Sequence, residues 1–393
     1  MTPGRPTLET VAQAAGVSAM TVSNAYNRPD QLSEETRARV LAVAKELGYA
    51  GPDPAGRSLR TRRAATIGVL LTEQLPYAFA DPGLVSFLHG LASGLADAGQ
   101  ALLLVPTEGN AEHAHVRNAL VDGFVLTSLV PGHPAVVDVL GRRLPVVSWG
   151  QPKIPGVPRI CVDNARAAAK AARHLLDLGH TSFGVVTFGD SAAGVTFGDS
   201  AAGVTFGDSA AGVTFGDSAG PLPSGDAGAA VTSGDGHRDA PARVPGVQLG
   251  MRARVSGFLR ALHAGGIDPS SVSVVAAARN SRAAGRDAAA RMLADRRPTA
   301  VFGVTDVLAL GTLDAAASAG IEVPRQLSVV GFDDVAAAAA SVPPLTTVAQ
   351  SLFDQGRLAA SVVLDQVAGR PVRIPPIRTE VVVRGSTAPP RGA

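Results

Sequence analysis

From Thr66 onward, short apolar runs alternate with stretches of helical periodicity. The runs are TIGVLL (66–71), ALLLVP (101–106), GFVLTS (123–128), PVVSW (145–149), FGVVTF (183–188), SVVAAA (273–278), AVFGV (300–304) and LSVVGF (327–332). Helical patterns fall near Gly83–Ala98, from Glu112, from Asn164 to Leu178, and over Ala253–Ala264, Arg282–Ala294 and Val307–Ala319. A short, continuously apolar run suits a strand buried on both faces, and parallel strands need a long, usually helical, crossover between them. The alternation therefore predicts parallel sheets with helices on both faces. Ligands of such sheets bind beyond the carboxyl ends of the strands. The 393 residues leave room for two to four domains, and with 46% hydrophobic and 17% charged residues the chain can bury a sizeable core.

The first sixty residues follow another rule. Leu8, Val11, Ala12 and Ala15 recur at helical spacing, with Thr7 placed to cap the start and Gly16 to end the helix in a left-handed turn. Ser18 caps a second helix, Ala19 to about Ala25, and Ser33 a third, with Glu34 and Glu35 at its positive end. Val40, Ala44 and Leu47 form the buried stripe of that third helix, and Gly48 stops it. Two helices joined by only Gly16-Val17-Ser18 must cross steeply. That geometry suits a helix-turn-helix that reads DNA, and equally an ordinary helical hairpin.

Charge helps here only through its distribution. The net charge is +2, but residues 1–63 hold nine Lys/Arg against six acids, with the excess concentrated in Arg57–Arg63. Such a patch is either a footprint for phosphate or a solvated surface.

The pattern VAQAAGVSAMTVSNAYN…LSEETRARVLAVAKELGY…PDPAGRSL resembles the lactose-repressor (LacI/GalR) family of bacterial transcription regulators almost continuously over the first 60 residues. The resemblance implies a second helix lying in the major groove, with Ala19, Met20 and Asn24 toward base edges. Thr21 and Ser23 would contact phosphate, with Thr7, Ser18 and Asn27 beside them, while Val22 is expected in the core. Pro52 to Arg63 resembles the family hinge helix, which enters the minor groove as a dimer pair. Leu59 would be its apolar wedge, flanked by Arg57 and Arg60. Family members often carry Arg where this chain has Asn24, and Ala where it has Gly56. The chain also has one extra residue between Tyr49 and Pro52.

The same resemblance implies that the remainder is a two-lobed core of the type I periplasmic-binding-protein kind, with three crossovers between its lobes. VDN (162–164) matches the first crossover. PPLTTVAQ (343–350) leads into another, so the helix from Leu352 should return to the first lobe, and Thr379–Arg384 should lie near the crossovers. Effector-binding residues carried over are Arg254, Asp333, Thr305 and Gln350, with Tyr77 and Trp149 as walls. Gly150 stands where the lactose repressor has an acid. An Arg and an Asp facing one pocket suit a polyhydroxylated ligand. The alternative for Asp333 and Asp306 is helix capping or structural ion pairing.

Residues 186–220 hold a nine-residue unit, VTFGDSAAG, four times, the last copy lacking one Ala. A Gly/Ser/Pro/Asp-rich tract follows to about Val247. The first copy completes the run FGVVTF. The others are expected to be expansion of a surface loop, disordered or in loose hairpins, since closure entropy grows slowly with length. A stacked β-solenoid is the alternative.

Gly216-Asp217-Ser218-Ala219-Gly220 fits a G-x-S-x-G nucleophile elbow, but only because the last unit is short, and no strand-turn-helix context surrounds it. His113 and His115 lack companion metal ligands. No phosphate-cradling or dinucleotide glycine motif occurs. No catalytic constellation, metal or cofactor is expected. One cysteine, Cys161, and the lack of a long apolar run imply a soluble protein of a reducing cytoplasm.

The expected organisation is a helix-turn-helix domain (1–51) and a hinge (52–63). The first core lobe covers 64–162 plus about 350–378. The second covers 163–349 plus about 379–386, with an insertion at about 189–247, and a flexible tail occupies 387–393. The expected function is that of a homodimeric repressor on pseudo-palindromic double-stranded operator DNA, controlled by a sugar-like effector. The alternatives are a sugar-binding protein without a regulatory role and a hydrolase using Ser218.

Overall fold

The structure is a computed structural model describing residues 6–51, 63–71, 75–107, 114–129, 132–189, 195–197, 204–206 and 245–391. The chain divides into two compact units, Met1–Ala65 and Thr66–Ala393.

The first unit is helical: α1 (Leu8–Ala15), α2 (Ala19–Asn27), a 3-10 turn (Pro29–Gln31) and α3 (Glu34–Glu46). Each α-helix begins at a hydroxyl that accepts a backbone N–H: Thr7 from Thr10, Ser18 from Thr21 and Ser33 from Thr36. Gly16, at φ 65°, closes α1. Val11, Ala12, Ala15, Val22, Ala25, Val40 and Ala44 form a core of small side chains. Leu47 departs from the expected stripe: α3 ends at Glu46, and Leu47 is 38% exposed. Gly48 turns the chain back at φ 69°, and Tyr49 fills the space instead, edge-on to Tyr26 at 6.0 Å.

The second unit holds two sheets. The first lobe is built from β1 (Thr66–Leu71), α4 (Leu75–Ala78), α5 (Pro82–Ala96), β2 (Ala101–Pro106), α6 (Ala114–Asn118), β3 (Gly123–Thr127), α7 (Pro134–Gly141), β4 (Val146–Trp149) and β5 (Arg159–Ile160). Its strands run parallel in the order β2-β1-β3-β4-β5. The second lobe contains α8 (Asn164–Asp177), β6 (Phe183–Phe188), β7 (Val195–Phe197), β8 (Val204–Phe206), α9 (Pro245–Ala264), β9 (Ser273–Ala277), α10 (Arg282–Asp295), β10 (Ala300–Gly303), α11 (Asp306–Ser318), β11 (Ser328–Asp333), α12 (Ala336–Ala340) and β12 (Thr346–Ala349). Its six-stranded sheet, β13-β12-β11-β10-β6-β9, is parallel except for β13 (Glu380–Val382), which runs against β12. Helix α9 starts eight residues before the sequence pattern places it, with Pro245 at its first position, where a missing N–H costs nothing.

The chain crosses between lobes three times. After β12, α13 (Leu352–Val367) returns to the first lobe and packs on α5. The approach is close: a Cβ on Gly90 would lie 1.9 Å from the Phe353 carbonyl oxygen, and one on Gly356 would lie 2.1 Å from that of Phe87. Ala359, Ala360, Val362 and Val363 thereby join Phe87, Leu91 and Leu95 in one core. The chain then crosses back to form β13.

One expectation narrows and another changes. The second and third copies of the nine-residue unit pair as an antiparallel hairpin, β7 with β8, with Val195 opposite Phe206. This is the hairpin alternative and not a parallel stack. The fourth copy, with Ser218, lies outside the described residues, as does His113. The expected flexible tail is tethered at its start. Thr387 Oγ1 bonds to His174 Nε2 at 3.0 Å, and the Ala388 N–H donates to Ser328 Oγ at 3.0 Å. Among the described residues, no helix is long and apolar enough to cross a membrane.

Candidate functional site

In the helical unit, α2 carries the candidate reading face. Met20, Asn24 and Asn27 fall at i, i+4 and i+7, so they share one side of the helix. Met20 is 63% exposed, an unusual position for a large apolar side chain in so small a core. Asn27 is exposed, and its Nδ2 donates to the Ser23 carbonyl at 3.0 Å; Asn24 and Thr21 are half-buried. Val22 is fully buried, as expected.

Ala19, expected toward base edges, and Ser23, expected at phosphate, both lie toward the core. Ser23 is buried, and Ala19 packs against the unit's core. Both fall on the side of the turn occupied by Val22. Thr7 and Ser18 are exposed, and their hydroxyls hold helix starts. Arg57, Leu59 and Arg60 lie outside the described residues.

In the second unit, the carboxyl ends of β4, β10, β11 and β12 open onto a cleft of about 140 Å³ between the lobes. Trp149, Arg254, Thr305, Asp333 and Gln350 all line it, as the sequence predicts. Tyr77 lies in α4, but its side chain is not among those described.

The polar centre is Arg254 on α9, whose side chain is almost wholly buried. Its Nε donates to Asn164 Oδ1 at 2.9 Å. Its Nη1 donates to the Val304 carbonyl at 2.7 Å and meets Asp333 Oδ1 at 3.0 Å. The guanidinium lies 3.7 Å above the Phe332 ring. Gln350 Nε2 also donates to Asp333 Oδ1, at 2.5 Å. Asp333 has φ 120° and Asp334 φ 57°. Non-glycine residues held this way cost about 1–3 kcal/mol each and cluster at ligand clamps.

Burial pushes the Asp333 carboxyl up to about 7, against the pull of Arg254 beside it and with a push from Asp306 and Asp81. Asp306 is raised to about 6, again mainly by burial. It accepts from the Val335 N–H at 2.8 Å and from Thr347 Oγ1, so it ties α11 to the starts of α12 and β12. Asp306 thus takes the structural role, while Asp333 faces the cavity.

Thr305 caps α11 through the Leu308 N–H and donates to Asn280 Oδ1 at 2.8 Å. Trp149 stacks on Phe87 at 3.9 Å, and its Nε1 donates to Gln355 Oε1 at 2.8 Å. Gly150 lines the cavity at φ 69°.

Asp81, Asn164, Asn280 and Gln355 also line the cavity, and sequence reasoning missed them. Only Asp81 carried a local signal: an Asp directly before a Pro marks a helix start, and Asp81 does cap α5. The arrangement offers many hydrogen-bonding groups around a partly apolar wall, which suits a small polar ligand. Among the described residues no cluster of metal ligands occurs.

Comparison with known proteins places this geometry. Residues 7–51 match the profile of bacterial regulatory proteins of the lacI family. Residues 64–211 match periplasmic binding proteins and the sugar binding domain of the LacI family, and residues 234–387 match a periplasmic binding protein-like domain. An HTH-type transcriptional regulator of Mycolicibacterium smegmatis is 38% identical over 402 residues, covering 99% of this chain and 98% of the relative. The solved complex of the transcriptional regulator CelR with cellobiose is 27% identical, with a TM-score of 0.58, covering 97% of this chain and all of that one. The lac repressor dimer bound to operator and the anti-inducer ONPF has a TM-score of 0.71 at 21% identity, covering 98% and 99%.

Proposed function

The chain belongs to the lacI family of bacterial regulatory proteins, a family of transcriptional regulators and not of enzymes, and we propose that it is a homodimeric repressor relieved or engaged by a sugar-like effector. The observation that carries the effector reading is the cleft in which Arg254 and Asp333 meet at the strand ends. Charged groups make the stronger hydrogen bonds to hydroxyls, and the Trp149 wall suits the apolar face of a sugar ring. CelR, solved with cellobiose, supports the same class of ligand.

Met20 and Asn24 read bases, Thr21 lies toward phosphate, and Leu59 wedges the minor groove between Arg57 and Arg60. Two copies bind a pseudo-palindrome whose half-sites lie about one helical turn (~10 bp) apart. The effector favours one lobe arrangement by binding it more tightly, and so shifts DNA affinity. The domain limits proposed are 1–51, 52–63 and the two lobes of the core, with the insertion at about 189–247.

Selection of the full chain against random duplexes should return a pseudo-palindromic site. Gel shifts on that site should weaken at least tenfold with Met20→Ala and with Leu59→Ala; unchanged binding in both would remove the DNA-reading assignment. A thermal-shift screen of sugars should give a hit lost in both Arg254→Ala and Asp333→Ala. A hit that survives both would place the ligand elsewhere.

A further inference from the structure

The charge of the cavity goes further than its hydrogen bonds. Among the described residues lining it, the charged ones are Asp81, Arg254 and Asp333. The carboxylates come from opposite lobes. Asp81 starts α5 in the first lobe, where Oδ1 accepts from the Gly83 N–H at 2.9 Å and the Leu84 N–H at 3.4 Å. Asp333 ends β11 in the second. They converge on one backbone point: a Cβ on Gly83 would lie 3.2 Å from Asp81 Oδ1 and 4.0 Å from Asp333 Oδ2.

The single cation offsets one of them: Arg254 is paired with Asp333, which leaves Asp81 without an ion-pair partner among the described residues. Arg254 Nε and both Nη1 hydrogens are committed to Asn164, Val304 and Asp333. Asn280, which accepts from Thr305, also hydrogen-bonds the Asp81 carboxylate. Asp81 is therefore held in place by its own helix and by a side chain across the cleft.

Resting on the effector reading above, we propose that Asp81 selects ligands by charge. The cleft takes polyols that are uncharged or carry an ammonium group, and refuses those carrying phosphate or carboxylate. An anionic substituent would enter a cleft already holding two carboxylates and one guanidinium, the latter paired with Asp333. Repulsion from one carboxylate at ~5 Å, with an effective permittivity of ~20, weakens binding by about 100-fold. An ammonium group would instead meet Asp81, which has no ion-pair partner among the described residues, beside the Asp333–Arg254 pair.

The test is calorimetric titration of the full chain at pH 8 with matched sets. One set is D-glucose, D-glucosamine, D-glucuronate and D-glucose 6-phosphate; D-galactose and D-ribose supply parallel sets. The neutral or amino member of a binding set should bind at least about 100-fold more tightly than its anionic members. Asp81→Asn keeps a good helix cap, so the fold is not at stake. It should narrow that gap by tenfold or more. An anionic member that binds as tightly as its neutral parent overturns the charge selection and leaves the effector cleft standing. A gap unchanged in Asp81→Asn overturns the role of Asp81. Failure of every set to bind, while DNA binding persists, removes the sugar-like effector reading and this inference with it.

Discussion

The helical unit and the cleft solve the same problem, fixing polar side chains in place, over very different sequence distances. In the helical unit the caps are local: Thr7 to Thr10, Ser18 to Thr21 and Ser33 to Thr36 each span three residues. In the cleft, Arg254 reaches Asn164 across 90 positions and Val304 across 50, and Trp149 reaches Gln355 across 206. Local contacts form with the helix that carries them. Distant ones form only when both lobes and their crossovers are in place, so damage to either region should read out differently.

The largest effect is expected from Arg254→Ala. Removing one partner of a buried pair strands the other, at a cost of about 3–5 kcal/mol. At pH 8 the thermal midpoint of the Thr66–Ala393 unit should fall sharply, and a loss under about 1 kcal/mol would show that the cleft network contributes little to folding. Proton linkage sharpens the point. Asp333 is raised to about 7 and Asp306 to about 6 in the folded chain, above their unfolded values. The stability they contribute is full below the unfolded value and is lost as pH rises through the folded one. The midpoint should therefore fall by several degrees between pH 5 and pH 8, and Asp333→Asn should flatten part of that slope. A midpoint that rises over this range would contradict the burial seen for both acids.

A smaller effect, about 1–3 kcal/mol, is expected from Gly356→Ala, because the added methyl meets the Phe87 carbonyl where α13 returns to α5. Denaturant melts should show it in the core transition. Ser18→Ala should cost about 1 kcal/mol, through the lost cap on α2. That loss should appear in helix signal from the N-terminal unit, with the melting of the Thr66–Ala393 unit unchanged; a shift in that melting would show that the cap supports more than its own unit.

Much of this was legible in the chain. Eight strands, β1–β4, β6 and β9–β11, stand where the apolar runs place them, because a buried strand has little freedom to hide its composition; β5, β12 and β13 come from no such run. The caps were legible because a hydroxyl before an apolar-periodic stretch has one good partner, the free N–H of the next turn. What failed locally failed at ends and faces. Leu47 continues the apolar stripe in sequence, but α3 stops before it. Ala19 and Ser23 lie on a helix whose exposed side is set by how α2 rests on its neighbours. The tail from Thr387 looked free because its partners, His174 and Ser328, are far away in sequence.

The sequence by itself determined the alternation that makes two parallel sheets, the three capped helices ahead of them, and the family to which such a chain belongs. It also marked Arg254 and Asp333 through short motifs around them. Only the tertiary structure decided that Asp81, Asn164, Asn280 and Gln355 share their cavity, that Asp306 is a strut while Asp333 faces the cavity, and that Arg254 is paired with Asp333 there. Those outcomes depend on where separate strand ends meet. That is a property of the crossovers and the close helix contacts at Gly90 and Gly356, and no residue's neighbours in the chain report it.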